Sequence, residues 1–176
     1  RLVYQILNQV GTRTDLVLLG FLVSGAVVSA WITDMAAAAI LLPIGVGLLS
    51  DVGMRPGKSN FGRAIMIAAA FGPLIGGIAT PAGNGANLVA IAQLRQLVQI
   101  DVSFTLWMAY GVPAALFMLP ICWRLLLWLF PPEVENLPIT QDDIRRRLET
   151  LGSLQPNELR TLLVFAVVIS TWILTP

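Results

Sequence analysis

Six polar side chains stand inside otherwise apolar sequence, and all six are of types that handle ions. Ser29, Thr33 and Asp34 lie in "SAWITDM"; Thr80, Asn84 and Asn87 lie in "ATPAGNGAN". Their hydroxyl, carboxylate and amide oxygens are hard donors, suited to Na⁺ or to carrying a proton. A carboxylate in hydrocarbon costs at least a few kcal/mol, so Asp34 is expected to have a task. Other chemistry is excluded by composition. The chain has no histidine and one cysteine, Cys122. That removes His-based relays and metal sites, Ser–His or Cys–His catalysis and an internal disulfide. Cys122 reads as a small apolar residue of a helix. No nucleophile–base pair or metal cluster is visible, so no enzyme is expected.

The elements that hold these residues follow from where the charges are. Of 176 residues, 56% are hydrophobic and 12% are charged, against roughly 25% charged in a soluble domain. The apolar residues form long blocks, Leu16 to Leu49, Ala64 to Ala92, Phe104 to Phe130 and Leu162 to Leu174, which read as membrane segments. An all-α integral membrane protein is expected. The net charge is +1, which argues for no nucleic acid partner; the bilayer is the partner instead.

Arg13, the cluster Arg55, Lys58 and Arg63, and the later cluster Arg145, Arg146, Arg147 and Arg160 all belong on the cytoplasmic side by the positive-inside rule. The loop with Arg95, balanced by Asp101, belongs outside. The first block must then enter the membrane and return. With about 17 residues per arm, each arm spans about 25 Å, short of the roughly 30 Å hydrocarbon core. Residues 15–50 are therefore expected to form a re-entrant helical hairpin with its tip near "SAWITDM", in preference to one long tilted helix. Such irregular backbone is tolerated where protein or water covers it.

The second block, 64–92, is expected to be a broken helix. Gly72-Pro73, Gly76-Gly77, Pro81, Gly83 and Gly85 crowd its middle, and proline and glycine both oppose helix there. Unwinding around Thr80–Asn84 fits this pattern, while close helix packing accounts for Gly76-Gly77 alone. Residues 104–130 form a more ordinary span kinked at Pro113 and Pro120, with Trp107 and Tyr110 at an interface. Residues 131–160 read as a cytoplasmic linker with an amphipathic helix in "TQDDIRRRLETL", capped by Thr140. Residues 161–176 open another span that stops at "TWILTP", so the chain is read as part of a longer protein.

A re-entrant tip meeting a broken helix at mid-membrane is secondary-transporter architecture. Half-helix N-termini there suit anions, and carbonyls and hydroxyls suit small cations. The residues also carry a family resemblance. "SAWITDMAAAAILLP" resembles the "S-x-W-x-S-N-T-A-T" hairpin tip of the divalent anion:sodium symporter family, the carriers of dicarboxylates, citrate and sulfate. "IGGIATPAGNGANLVAI" resembles its "IGG-x-x-T-x-x-G-T-P-P-N" broken helix, and "FTLWMAYGVPAALFMLPICW" is similar to the helix that follows.

The resemblance implies a homodimeric carrier of elevator type, built from two inverted repeats and set in a bacterial inner membrane. Residues 1–130 would be the later part of the first repeat, and 161–176 the first helix of the second. It implies a sodium site from Ser29, Thr33, Asp34 and Ala79, and a substrate face from Asp34, Met35, Thr80, Pro81 and Asn84. Asn87, Gly83 and Gly85 would support the break. Two signatures are altered: Ser-Asn-Thr reads Thr33-Asp34-Met35, and Thr-Pro-Pro reads Asn84-Gly85-Ala86. Met35 has no donor for an anion. Asp34, ionised, repels a carboxylate and holds a cation; protonated, it donates to the substrate. The expected function is transport of a small divalent anion, carboxylate or sulfate-like, coupled to Na⁺ or H⁺, with no other cofactor. The alternatives are an ion antiporter or metalloid-anion permease of related fold, or a non-transporting scaffold.

Overall fold

The computed structural model describes residues 11–54, 57–138 and 156–174. Among these there is no strand, only an isolated antiparallel bridge between Arg13 and Asn136. Helix α1 spans Thr14–Ser29 and α2 spans Asp34–Asp51. Helix α3 spans Asn60–Gly77, a 3-10 turn covers Pro81–Gly83, and α4 spans Gly85–Gln93, continued by a wider turn over Leu94–Val98. Helix α5 runs from Phe104 to Leu129 and α6 from Pro156 to Leu174. The amphipathic helix expected in "TQDDIRRRLETL" lies outside the described residues, as does Arg55.

Side-chain chemistry explains where the helices start. Thr33, Ser59 and Ser103 occupy N-cap positions, and each accepts from a backbone N–H of the first turn, the usual answer to unpaired donors there. Prolines do not end the long helices: α2 contains Pro43, α3 Pro73, and α5 both Pro113 and Pro120. Gly72-Pro73 therefore stays helical, and the second block is interrupted only between Gly77 and Gly85. The pair is held by packing, because a Cβ on Gly25 of α1 would lie 2.6 Å from the Pro73 ring.

The core is the seam between α1 and α3. Val17, Leu18, Phe21 and Leu22 meet Phe61, Ala64, Ile65 and Ala68, all fully or almost fully buried, with Leu41 and Leu49 of α2 against them. Toward the α3 C-terminus the backbones themselves touch. A Cβ on Gly76 would lie 2.1 Å from the Ala26 carbonyl oxygen, and one on Gly72 would lie 2.7 Å from that of Leu22. Small residues permit this approach, the way membrane helices pack without a hydrophobic drive between them.

The outside of the bundle is apolar as well. Leu116, Phe117, Ile121 and Trp128 of α5 are exposed, as are Leu163, Val164 and Val167 of α6. By length and composition, Asp34–Asp51 and Phe104–Leu129 are long and apolar enough to cross a membrane. With 16 and 18 residues, α1 and α2 measure about 24 and 27 Å.

After α5 the chain forms a strap that ties three helix ends together. Thr14 donates through its N–H to the Glu135 carbonyl (3.0 Å) and through its hydroxyl to that of Val134 (2.8 Å), and Leu137 N–H donates to the Thr12 carbonyl. The Glu133 carboxylate accepts from the N–H groups of Asn60 and Phe61 at the start of α3. Trp123 of α5 donates to the Asp15 carbonyl at 2.8 Å.

Burial pushes the Glu133 carboxyl up. Backbone hydrogen bonds from Asn60, Glu133 itself and Phe61, with the Arg63 charge, outweigh that and hold it below its ordinary value. A depressed carboxyl stabilises the fold above its unfolded pKa, and this support is lost as pH falls through the folded value. Glu133→Gln is thus expected to cost no more than about 0.5 kcal/mol at neutral pH, because the carboxylate is exposed and screened by solvent. The deficit should close in strongly acidic buffer; melts showing the same deficit at both pH values would contradict it.

Candidate functional site

The two interruptions of helix, 30–33 and 78–84, lie against each other, laced by side-chain bonds. The Thr80 hydroxyl donates to the Ala30 carbonyl. Asn84 Nδ2 donates to Asp34 Oδ2 at 2.7 Å. Asn87 Nδ2 bridges within the second interruption, donating to the carbonyls of Gly77 (2.8 Å) and Thr80 (2.9 Å). The Gly77 carbonyl lost its helical partner when the chain unwound, and a buried backbone group needs a replacement; that of Thr80 also accepts from Gly83 N–H at 3.3 Å. The local sequence explains the unwinding: Pro81 has no N–H to give, and Asn84 is extended (φ −150°, ψ 136°) before it caps α4 through Ala86 N–H.

Glycine makes the close approach work. A Cβ on Gly83 would lie 2.6 Å from the Gly77 carbonyl oxygen and 2.8 Å from that of Ser29. One on Gly77 would lie 3.1 Å from the Gly83 carbonyl oxygen, 3.3 Å from Ser29 Oγ and 3.5 Å from Asp34 Cβ. The Ser29 hydroxyl, the Gly83 carbonyl and the Cβ of Asp34 therefore all lie close to the place a Gly77 side chain would take.

Ser29 stands out there. It is fully buried, and its Oγ has no hydrogen-bond partner among the described residues. Ser24, one turn earlier, bonds back to the Gly20 carbonyl at 2.6 Å, the ordinary fate of serine in an apolar helix. Ser29 does not.

The remaining residues singled out in the sequence are placed as follows. Thr33 is exposed and caps α2 through Ala36 N–H at 3.4 Å. Asp34 is half-buried, and its Oδ1 accepts from Met35 N–H at 2.8 Å. Met35 itself is 82% exposed. Pro81 is buried in the 3-10 turn, and Gly85 has open space around it. Ala79 is buried, with its carbonyl oxygen toward α5: a Cβ on Gly111 would lie 3.0 Å from it. The carbonyl that lies with Ser29 Oγ over Gly77 is that of Gly83.

Two supports were invisible in the sequence. Trp107 donates from Nε1 to the Ile78 carbonyl at 3.0 Å, so this ring, read above as an interface residue, also holds the second interruption. Gly111 lets α5 approach Ile78 and Ala79. Neither carries a local signal, because each depends on a partner about 30 residues away.

A buried hydroxyl without a partner among the described residues thus lies on the same side of Gly77 as the Gly83 carbonyl and the Cβ of Asp34, at the junction of two interrupted helical segments. Compared with known proteins, residues 1–176 match the sodium:sulfate symporter transmembrane region. The chain belongs to this family. Its members are membrane transporters and not enzymes. The sodium-dependent dicarboxylate transporter SdcS of Staphylococcus saprophyticus is 29% identical over 181 residues, covering 98% of this chain and 35% of the relative. SdcS of Staphylococcus aureus strain USA300 is 27% identical with the same coverage. The chain thus spans about a third of the length of these relatives of the family.

Proposed function

We propose that this chain forms part of a secondary transporter that moves a small organic anion across the cell membrane together with Na⁺. The observation that carries the reading is the buried Ser29 hydroxyl, without a partner among the described residues and on the same side of Gly77 as the Gly83 carbonyl and the Cβ of Asp34. Burying a hydroxyl unpaired costs about 1–3 kcal/mol, which a bound cation would recover. The donors are hard oxygens, as Na⁺ requires. Membership of the sodium:sulfate symporter family and the sodium-dependent relatives support the same ion.

In this reading Ser29, Asp34 and nearby backbone carbonyls hold the cation, while Thr33 sets the start of α2 and so the position of Asp34. Thr80, Asn84 and Asn87 fix the second interruption against the first. Ala79, Met35 and Pro81 stay as candidate contributors on the strength of the resemblance. The α1–α2 pair, with arms of about 24 and 27 Å, is taken as a re-entrant hairpin within one of two inverted repeats of a homodimer. A dicarboxylate is the favoured cargo because both named relatives are dicarboxylate transporters.

Uptake by the full-length protein in proteoliposomes tests the proposal. A labelled dicarboxylate should enter with an inward Na⁺ gradient and not with a proton gradient alone. Asp34→Asn should change the Na⁺ dependence by tenfold or more. Uptake with unchanged Na⁺ dependence in this variant would remove Asp34 from the coupling site.

A further inference from the structure

Helix α5 turns two different faces outward and inward. Inward, Trp123 bonds to α1, and Leu119 and Leu126 are buried in the core. Outward, Pro120, Ile121, Arg124, Leu125 and Trp128 recur at helical spacing and line a shallow groove of about 460 Å³. All five are exposed. Arg124 is the one charged residue among the 26 of α5.

The strap fixes which end of the bundle this is. Residues 133–137 bring the C-terminal end of α5 to the starts of α1 and α3, where Arg13 and Arg63 stand. Basic residues gathered at one end mark the cytoplasmic side. With 26 residues, α5 is about 39 Å long against a hydrocarbon core of roughly 30 Å. Centred in the bilayer, it places the Arg124 backbone about 3 Å inside the cytoplasmic edge, within reach of the headgroups for a long side chain. Trp128, one turn further on, falls at headgroup level, where tryptophan is favoured.

Other charges at this end are engaged. Arg13 is bonded to Asp15 at 2.9 Å, and Arg63 Nε donates to the Gly57 carbonyl at 3.1 Å. Glu133 is held by backbone N–H groups of α3, and Glu135 lines a separate groove with Arg13 and Asp15. Arg124 has no hydrogen-bond or ion-pair partner among the described residues. A charge at the edge of hydrocarbon is costly without one.

We propose that this groove seats an anionic phospholipid of the cytoplasmic leaflet, with its phosphate on the Arg124 guanidinium and an acyl chain along Ile121 and Leu125. A guanidinium takes phosphate through paired N–H bonds, and anionic lipids concentrate in that leaflet. The lining asks for an amphiphile: one cation toward the headgroups, apolar side chains deeper in. Inorganic phosphate would meet the charge and leave the apolar length of the groove bare.

Melting of the full-length protein in detergent, titrated with lipid, tests the proposal. Phosphatidylglycerol is expected to raise the melting point at a concentration at least tenfold lower than phosphatidylcholine with the same chains. Inorganic phosphate should leave it unmoved. Arg124→Gln should need at least tenfold more phosphatidylglycerol, while Arg124→Lys, which keeps the charge, should retain most of the response. Equal potency of the two lipids, or a full response to inorganic phosphate, overturns the proposal. So does an Arg124→Gln variant that melts lower without lipid yet responds normally, the behaviour of an arginine paired with a carboxylate elsewhere in the protein. Phosphatidylglycerol with a photoreactive acyl chain needs no variant to fold: its crosslinks to the wild type should include residues 120–128, and labelling only elsewhere overturns the seat.

Discussion

Ser29→Ala is expected to raise the stability of the protein without Na⁺ and to abolish most of its stabilisation by Na⁺. The two effects have opposite signs because one atom causes both. Removing an unpaired buried hydroxyl relieves a cost of about 1–3 kcal/mol, and alanine leaves a gap of a single atom. The same deletion takes a ligand from the proposed cation site, where Ser29 Oγ lies with Gly83 O and the Cβ of Asp34 over Gly77. A ligand that binds only the folded state raises stability in proportion to the logarithm of its concentration over Kd. Melting of the full-length variant across a Na⁺ titration reads both quantities. The expected result is a higher melting point at zero Na⁺ and a response needing at least tenfold more Na⁺. A variant that melts lower without Na⁺ and responds normally would make Ser29 a packing residue.

Gly76→Ala is expected to be the most damaging glycine-to-alanine change among the described residues. The new Cβ would lie 2.1, 2.3 and 2.5 Å from the carbonyl oxygen, Cα and carbonyl carbon of Ala26. These are backbone atoms of a helix, so no side chain can turn aside, and α1 and α3 must part along the seam that holds the core. Overpacking usually costs about 1–3 kcal/mol; a clash with rigid backbone on both sides belongs at or above the top of that range. Gly47→Ala is the matched control, since nothing stands within 4 Å of a Cβ there, and in mid-helix it should gain up to about 1 kcal/mol. Expression and melting of both variants check this. Equal behaviour of the pair would refute the backbone contact at Gly76.

What could be read in the sequence was what neighbouring residues encode. The all-helical, membrane-embedded character shows in the long uncharged blocks. The polar insertions "WITD" and "TPAGNGAN" mark backbone that does not suit a continuous helix, because an N-cap residue, a proline and glycines each act within a turn of themselves. The same signals mislead at Gly72-Pro73, where α3 continues. Whether proline breaks a helix depends on what packs on its ring, here Gly25, and that partner is 48 positions away. The lacing of Thr80 to Ala30 and of Asn84 to Asp34 spans 50 positions. No local pattern announces it, nor the support from Trp107 or the strap through Glu133. The residue types of the candidate site were legible, but the bonds already made among them were not. Those bonds engage the Met35, Ala36 and Ala86 N–H groups, which a helix start would otherwise hold out to a ligand.

The strap has a mechanical consequence. Because residues 133–137 are bonded to the starts of both α1 and α3, they travel with those helices as one solid piece. If the helix cluster shifts against the chain that follows, the hinge has to lie after Leu137 and cannot lie at the end of α5. A spin-label pair at Arg13 and Pro132 would then keep one fixed distance through the whole working cycle.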